Sequence, residues 1–332
     1  MLSATTALSP DVLKLADPEG TIDAIAEGMR REVHGFRRKG AVVGLSGGVD
    51  SSVVAALAAR AFGADKVLGL LMPERDSAGD SLELSRLAAR HAGIATLVED
   101  MTPILQGARC YERRDEAIRR VIPEYGEGWS AKLVLPSVLE TERYRIFSIV
   151  VRSPDGEEKS ARLPAAEYLQ VVAATSFKQR SRKMMEYYHA DRLNYAVLGT
   201  PNRLEYDQGF FVKNGDGSAD VKPIAHLYKT QVYQLAEALG VPGEITSRPP
   251  TTDTYSMPQS QTEFYFSLPY DQMDLCLYAV DHGVGAAEAA EALRLGEDQV
   301  ARVFQDIASK RRVSAYLHAG PRLLEQVEGV RA

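Results

Sequence analysis

Cysteine is nearly absent from this chain. Cys110 and Cys276 stand far apart with no CxxC spacing, which argues against a zinc knuckle or an iron–sulfur ligand set and leaves two inert thiols. Long apolar runs are missing as well: none approaches the roughly 20 residues that span a bilayer, and the first residues lack the basic and apolar stretches of a signal peptide. A cytoplasmic location with no membrane partner is the expectation. Positive charge is also short, with 39 Lys and Arg against 45 Asp and Glu for a net charge of −6. A general nucleic-acid surface, which shows as a basic domain or stripe, is therefore not expected. The remaining composition, 45% hydrophobic and 25% charged residues over 332 positions, suits a globular chain with a full core.

The most telling segment is residues 41–52, AVVGLSGGVDSS. A short apolar strand runs into a Ser-Gly-Gly turn, and an acid and two hydroxyls then open an alanine-rich helix. Gly47 and Gly48 let backbone N–H groups approach an anion, the helix aims its unpaired N–H groups and positive dipole end at it, and Ser46, Ser51 and Ser52 add hydroxyl donors. The pattern reads as a phosphate cradle. A Walker loop would need GxxxxGK[ST], and no Lys stands in that place. Residues 44–48 do match GxSxG, the nucleophile elbow of serine hydrolases, with Ser46 as nucleophile. That reading requires an earlier strand and loop for the oxyanion hole, whereas the segment before Ala41 has a helical pattern.

Apolar β-type runs at 41–45, 66–72, 94–99 and 195–200 alternate with helical patterns at 80–92, 102–121, 165–190 and 228–239, and residues 272–317 are mostly helical. This alternation predicts an α/β fold, a doubly wound and mainly parallel sheet with helices on both faces. Residues 126–163 interrupt it. A strand over 144–151 and the turn Ser153-Pro154-Asp155-Gly156 predict an inserted β-hairpin. The expected organisation is an α/β unit over 1–260 and a helical region over 261–332 packed on it.

The SGGVDSS loop resembles that of the N-type ATP pyrophosphatases, which split ATP between its α and β phosphates. Beyond the fourth strand the chain is similar to the NAD synthetase family. Gly199-Thr200-Pro201-Asn202-Arg203-Leu204-Glu205 resembles its GT-N-x-x-E segment, and Gly209-Phe210-Phe211-Val212-Lys213-Asn214-Gly215-Asp216-Gly217 its GFF-x-K-x-GDG segment. Pro223 to Lys229 and Pro250-Thr251 match two more, and Lys178-Gln179-Arg180-Ser181-Arg182 corresponds to a K-A-R-x-R helix that lines the dinucleotide. The likeness spans residues 25–280 apart from 126–163.

The resemblance implies an ATP-dependent amide ligase that adenylates a carboxylate, the nicotinate of deamido-NAD in relatives, and amidates it with ammonia, releasing AMP and pyrophosphate. ATP is then a substrate. Departing pyrophosphate concentrates negative charge, which Mg²⁺ neutralises through oxygen ligands, implied here as Asp50 and Glu205. Ser46, Gly47, Gly48, Asp50, Ser51, Ser52, Thr200 and Thr251 are the implied ATP-binding residues. Asp50, Lys229 and Asp216 are the implied catalytic groups, and Ser176, Lys178, Arg180, Lys213, Asp216 and Asp220 the implied acceptor-binding ones. Read without the family pattern, Glu205 is a solvated loop charge, Lys229 a helix-surface charge, Asp216 a turn residue and 178–183 a basic helix face. The family also implies a homodimer. Cys110 carries no glutaminase motif, so free ammonia or a separate glutaminase supplies the nitrogen.

Two departures concern the acceptor. Ser176 stands where the family has Asn, and the family's acidic pair before the C-terminal region reduces to Glu263 within Thr262-Glu263-Phe264. With the insertion, they leave open a relative that amidates a different small carboxylic acid. Beside it stand the serine hydrolase using Ser46 and a non-catalytic nucleotide-binding protein.

Overall fold

The computed structural model describes residues 8–135, 147–251, 254–261, 265–266 and 268–329. After α1 (Pro18–Gly35) come β1 (Ala41–Gly44), α2 (Val49–Phe62), β2 (Val67–Leu71), α3 (Ser81–Ala92), β3 (Ala95–Val98), α4 (Thr102–Gly107) and α5 (Cys110–Arg119). A block of three strands comes next, β4 (Ser130–Val134), β5 (Ser148–Arg152) and β6 (Glu158–Arg162), and then the 29-residue helix α6 (Ala165–Leu193). The chain re-enters the first sheet as β7 (Ala196–Leu198) and continues through α7 (Arg203–Gln208), α8 (Lys229–Ala238), α9 (Gly243–Thr246), α10 (Tyr270–Asp281), α11 (Ala286–Leu293) and α12 (Glu297–His318).

The first sheet is parallel throughout, in the order β3-β2-β1-β7, with Val42 opposite both Leu68 and Val197. Alternation along β1 divides its side chains. Ala41 and Val43 pack with Ile22 and Met29 of α1, Leu57 of α2 and Leu235 of α8. Val42 faces the other way, joining Leu70, Val197 and Ala190 of α6. Strands buried on both faces are near-continuous apolar runs, as β1, β2 and β7 are, whereas the edge strand β3 is largely exposed. Helices therefore cover both faces, as the alternation predicts. Neighbours run toward β3 on one side of β1 and to β7 on the other, so strand order reverses beside β1, where open α/β sheets bind ligands at the strands' carboxyl ends.

Two local expectations need correction. The helix expected over 102–121 is two helices, because Arg109 adopts left-handed backbone (φ 55°) and its guanidinium is held by Glu112 and Glu116. The re-aimed α5 turns Tyr111 and Arg114 inward. The insertion holds the expected hairpin, β5 and β6 around a turn with Gly156 at φ 88°, but β4 pairs with the other edge of β5 to make three strands. Ser130, Lys132 and Val134 alternate with buried Ala131 and Leu133; that half-buried pattern is short and carries a lysine, which masks it as a strand. The sheet packs Leu133, Ile149 and Val151 on Ile118 of α5 and Val171 of α6. Residues 144–146 of the expected strand, and Thr262, Glu263 and Phe264, lie outside the described residues.

The C-terminal helices enclose a separate cluster built on Met273, Leu277, Val300, Val303 and Ile307, which also takes in Leu204 of α7 and Phe266. No helix among the described residues is long and apolar enough to cross a membrane.

Candidate active site

The turn after β1 is held from inside. Gly47 has φ 78°, and a Cβ there would stand 2.8 Å from the Leu84 Cβ and 2.9 Å from the Ser81 carbonyl oxygen, so only glycine fits. Ser51 accepts from the Ser46 N–H at 3.3 Å and donates to the Gly48 carbonyl at 3.0 Å, while Ser52 donates to the same carbonyl at 2.9 Å. Ser46 Oγ lies 3.2 Å from Ser51 Oγ and accepts from the Gly48 N–H. Among the described residues these partners include no imidazole, so the geometry gives the hydrolase reading no Ser–His pair.

Asp50, in the first turn of α2, accepts from Asn202 Nδ2 at 3.1 Å and is ion-paired to Lys229 at the start of α8. Lys229 is 1% exposed. Burial alone would lower its ammonium, but the charges of Asp50 and Glu205 outweigh that and leave the pKa raised. Glu205 caps α7 by accepting from the Asn202 N–H, and its other oxygen accepts from Gln261 Nε2 at 3.3 Å. Burial and the neighbouring Asp50 charge push its carboxyl up to about 8. Two carboxylates and an ammonium thus meet where β1 and β7 end.

One cleft of about 470 Å³ opens on this point, lined by Ser46, Asp50, Ser51, Ser176, Thr200, Glu205, Asp216 and Thr251 together with residues that the motifs do not single out. Gly47, Gly48 and Ser52 shape the loop rather than the lining. Asp216 is half-buried, its desolvation raises its carboxyl, and it accepts from the Val212 N–H at 2.8 Å.

Four of the expected acceptor residues are engaged elsewhere. Lys178 Nζ donates to Glu74 Oε1 at 2.9 Å, Asp76 Oδ2 at 2.7 Å and the Thr254 carbonyl at 3.1 Å. Arg180 donates to the Lys213 carbonyl, and Lys213 Nζ to the carbonyls of Tyr316 and Ala319. Asp220 accepts from the Val197 N–H and from the Tyr187 hydroxyl.

The α6 residues that do face the cleft are Tyr168, Val172, Thr175, Ser176, Gln179, Arg182 and Glu186, a stripe at helical spacing. That spacing was the available signal for Gln179 and Glu186. Glu186 is buried against Lys183 at 2.6 Å; burial raises its carboxyl despite that partner.

A parallel sheet with a glycine–serine phosphate loop after its first strand, and a carboxylate–lysine pair at the ends of neighbouring strands, defines an α/β protein of the ATP pyrophosphatase fold. The pattern of the NAD synthase family matches residues 21–119 and 134–313. This chain belongs to that family. It is 57% identical over 322 residues to an NH3-dependent NAD+ synthetase of Rhizobium meliloti, covering 97% of this chain and 96% of that one. It is 59% identical over 312 residues to one of Mesorhizobium japonicum, covering 94% and 98%. Among solved structures, an NMN synthetase from Francisella tularensis superposes with a TM-score of 0.65 at 19% identity, covering 92% of this chain and 98% of that one. An NH3-dependent NAD synthetase from Campylobacter jejuni does so with 0.60 at 20%, covering 94% and 100%.

Proposed function

We propose that this protein joins ammonia to the nicotinate carboxylate of deamido-NAD at the expense of ATP, giving NAD+, AMP and pyrophosphate in the cytoplasm. The observation that carries the reading is the ion pair of buried Lys229 with Asp50 at the mouth of the phosphate loop. In outline, the acceptor carboxylate attacks the α phosphorus, the bond to the β-phosphate oxygen breaks, and ammonia then displaces AMP from the acyl carbon. No covalent enzyme intermediate is needed.

Each step asks something of residues at hand. Pyrophosphate suits the N-terminus of α2 and the Ser46 and Ser51 hydroxyls. Lys229 supplies a fixed positive charge as negative charge shifts from the α phosphorus to the leaving group, and in a dry site such a charge acts without reorganisation. Thr200 and Thr251 offer hydroxyl donors along the cleft. Asp216, with its carboxyl raised by burial, suits the proton that the incoming ammonia must lose.

Asp50 and Glu205 would hold Mg²⁺. The fit is supported by their like charges facing one cleft, which a divalent cation relieves, and Mg²⁺ asks for only one or two carboxylates beside phosphate oxygens. When bound, it supplies neutralisation of the pyrophosphate charge. Free ammonia, or ammonia released by a separate glutaminase, is the nitrogen source in this reading. The active form is a homodimer joined through the outward face of α6.

The test is product analysis. Protein given ATP, Mg²⁺, ammonium and deamido-NAD should release NAD+, AMP and pyrophosphate in equal amounts, and should be idle when deamido-NAD is withheld. Release of ADP and phosphate, or equal turnover of an unrelated small carboxylic acid in place of deamido-NAD, would overturn it.

A further inference from the structure

We propose that Arg311, on the last helix and outside the cleft, is a positioning residue: through Asp207 and Asp281 it fixes the short helix α7 that presents Asn202 and Glu205 to the site. The inference rests on the reading of Glu205 as a carboxylate that takes up Mg²⁺, and adds what holds that carboxylate in place.

Helix α7 cannot hold itself. It spans only Arg203–Gln208, well short of the roughly 12–15 residues below which an isolated helix is marginal in water. Yet its first turn carries two parts of the site. Asn202, buried at its N-terminus, donates to Asp50 at 3.1 Å, and Glu205 lines the cleft. The two are joined by a capping box: Glu205 accepts from the Asn202 N–H at 3.2 Å, and the Asn202 side chain accepts from the Glu205 N–H at 3.1 Å. They therefore travel with the helix as one unit. Whatever sets α7 sets how Glu205 stands toward Asp50.

On its outward side α7 is set by charge. Arg311 of α12 grips Asp207 with a fork, Nε at 2.8 Å from Oδ1 and Nη2 at 2.6 Å from Oδ2. The same Nη2 donates to Asp281 Oδ1 at 2.6 Å, at the end of α10, and the other Asp281 oxygen accepts from Arg203 Nη2 at 2.6 Å. Arg203 opens α7 and Asp207 lies near its close, so both ends are tied to one network. Arg203 also reaches the approach to Lys229: its guanidinium lies 4.8 Å over the Tyr228 ring, and its N–H donates to the Leu227 carbonyl at 2.8 Å. Behind the network α12 leaves no slack. Gly209 ends α7 at φ 73°, and a Cβ there would stand 2.4 Å from the Ser314 Cβ. The ion pairs are partly exposed, where a lone pair contributes little to stability, but a bidentate arginine within a network of several charges fixes geometry. Among the described residues none from α12 lines the cleft, so Arg311 acts on the site only through α7.

The experiment compares wild type with Arg311→Met, Arg311→Lys, Val303→Ala and Glu205→Gln. It measures Mn²⁺ binding to the protein with ATP, from the relaxation of water protons, beside kcat and KM for deamido-NAD and the melting temperature. Arg311→Met should weaken Mn²⁺ binding by about tenfold, the lower end for residues that orient a metal ligand, and lower kcat with KM for deamido-NAD little changed. Arg311→Lys keeps the charge but not the fork, so it should show the same shifts at a smaller size. Val303→Ala opens the buried core under the same helix without touching the network. It should lower the melting temperature and leave Mn²⁺ binding at the wild-type value. Wild-type Mn²⁺ binding in whichever Arg311 variants fold, or equal weakening in Val303→Ala, would overturn the inference. Glu205→Gln separates it from the reading beneath. If that variant loses Mn²⁺ while the Arg311 variants do not, the inference alone falls; if it binds Mn²⁺ as wild type does, the role of Glu205 falls as well.

Discussion

Lys229 and Asp50 form an ion pair that ties the first residue of α8 to the first turn of α2. A lysine at a helix N-terminus opposes the helix dipole, and burying it adds a desolvation cost, so the position is stable only because Asp50 and Glu205 face it. Such an arrangement holds the charge in place before substrate arrives. Lys229→Met should cut AMP formation by about 100- to 1000-fold, the magnitude seen for removing one fixed transition-state donor. Asp50 keeps its bond from Asn202, so the melting temperature should change far less than the rate. Steady-state kinetics beside a thermal melt would check this, and full turnover by the variant would remove Lys229 from the chemistry.

Gly47 admits no substitute. An alanine would sit at φ 78° with its Cβ 2.8 Å from Leu84, adding about 1–2 kcal/mol of backbone strain to the clash. Relief must come from moving the loop or α3, and either displaces the backbone that faces phosphate. Gly47→Ala should raise KM for ATP and lower the melting temperature together. Unchanged ATP binding, measured by calorimetry, would place the phosphates elsewhere.

The loop, β1, α2 and the remaining parallel strands were readable because each depends on local sequence: apolar runs, a glycine pair, a helix opened by an acid. The site beyond the loop was less so, for a geometric reason. Successive helical residues point about 100° apart, so reading Lys178, Arg180 and Arg182 as one group mixes different faces of α6. Lys178 falls on the buried face with Val171, Ala174 and Ser181, whereas Gln179, one step on, lines the cleft. Nothing in 178–183 says which face meets Glu74 and Asp76, which come from the loop after β2, or Arg114 from α5. Those pairings join segments about a hundred residues apart, and only the folded chain brings them together. The break at Arg109 turns Tyr111 and Arg114 toward the same cluster.

Lys178 spends its three protons on Glu74, Asp76 and the Thr254 carbonyl, and Tyr111 and Arg114 complete the cluster. Lys178→Met leaves two buried carboxylates short of a cation and should cost about 3–5 kcal/mol. A pH series adds a second signature. Burial would raise the Asp76 carboxyl, but Lys178 and Arg114 hold it well below the ordinary carboxylate range. Its folded pKa is therefore depressed, so its stabilisation is complete above about pH 4 and fades as pH falls below that value. In the variant the depression is smaller, held only by Arg114 and Arg75. The gap in melting temperature between wild type and Lys178→Met should be widest near neutrality and narrow toward pH 3. Parallel curves would assign the cost of the substitution to packing rather than charge.

Helix α6 also carries an exposed apolar outward side. Leu169, Met184 and Tyr188 are 62%, 60% and 60% exposed, and at about 100° per residue they fall within roughly 100° of one another around the helix. Single exposed apolar residues need no explanation, but three aligned on one long helix favour a covered surface. In a homodimer each copy would cover the other's stripe. Replacing Met184 and Tyr188 by Glu sets like charges face to face across the two-fold axis, which costs association without disturbing the buried side of α6. The doubly substituted protein should elute at monomer mass with an unchanged circular dichroism spectrum, while wild type elutes at dimer mass. Elution of both at the same mass, measured by light scattering, would move the interface off α6.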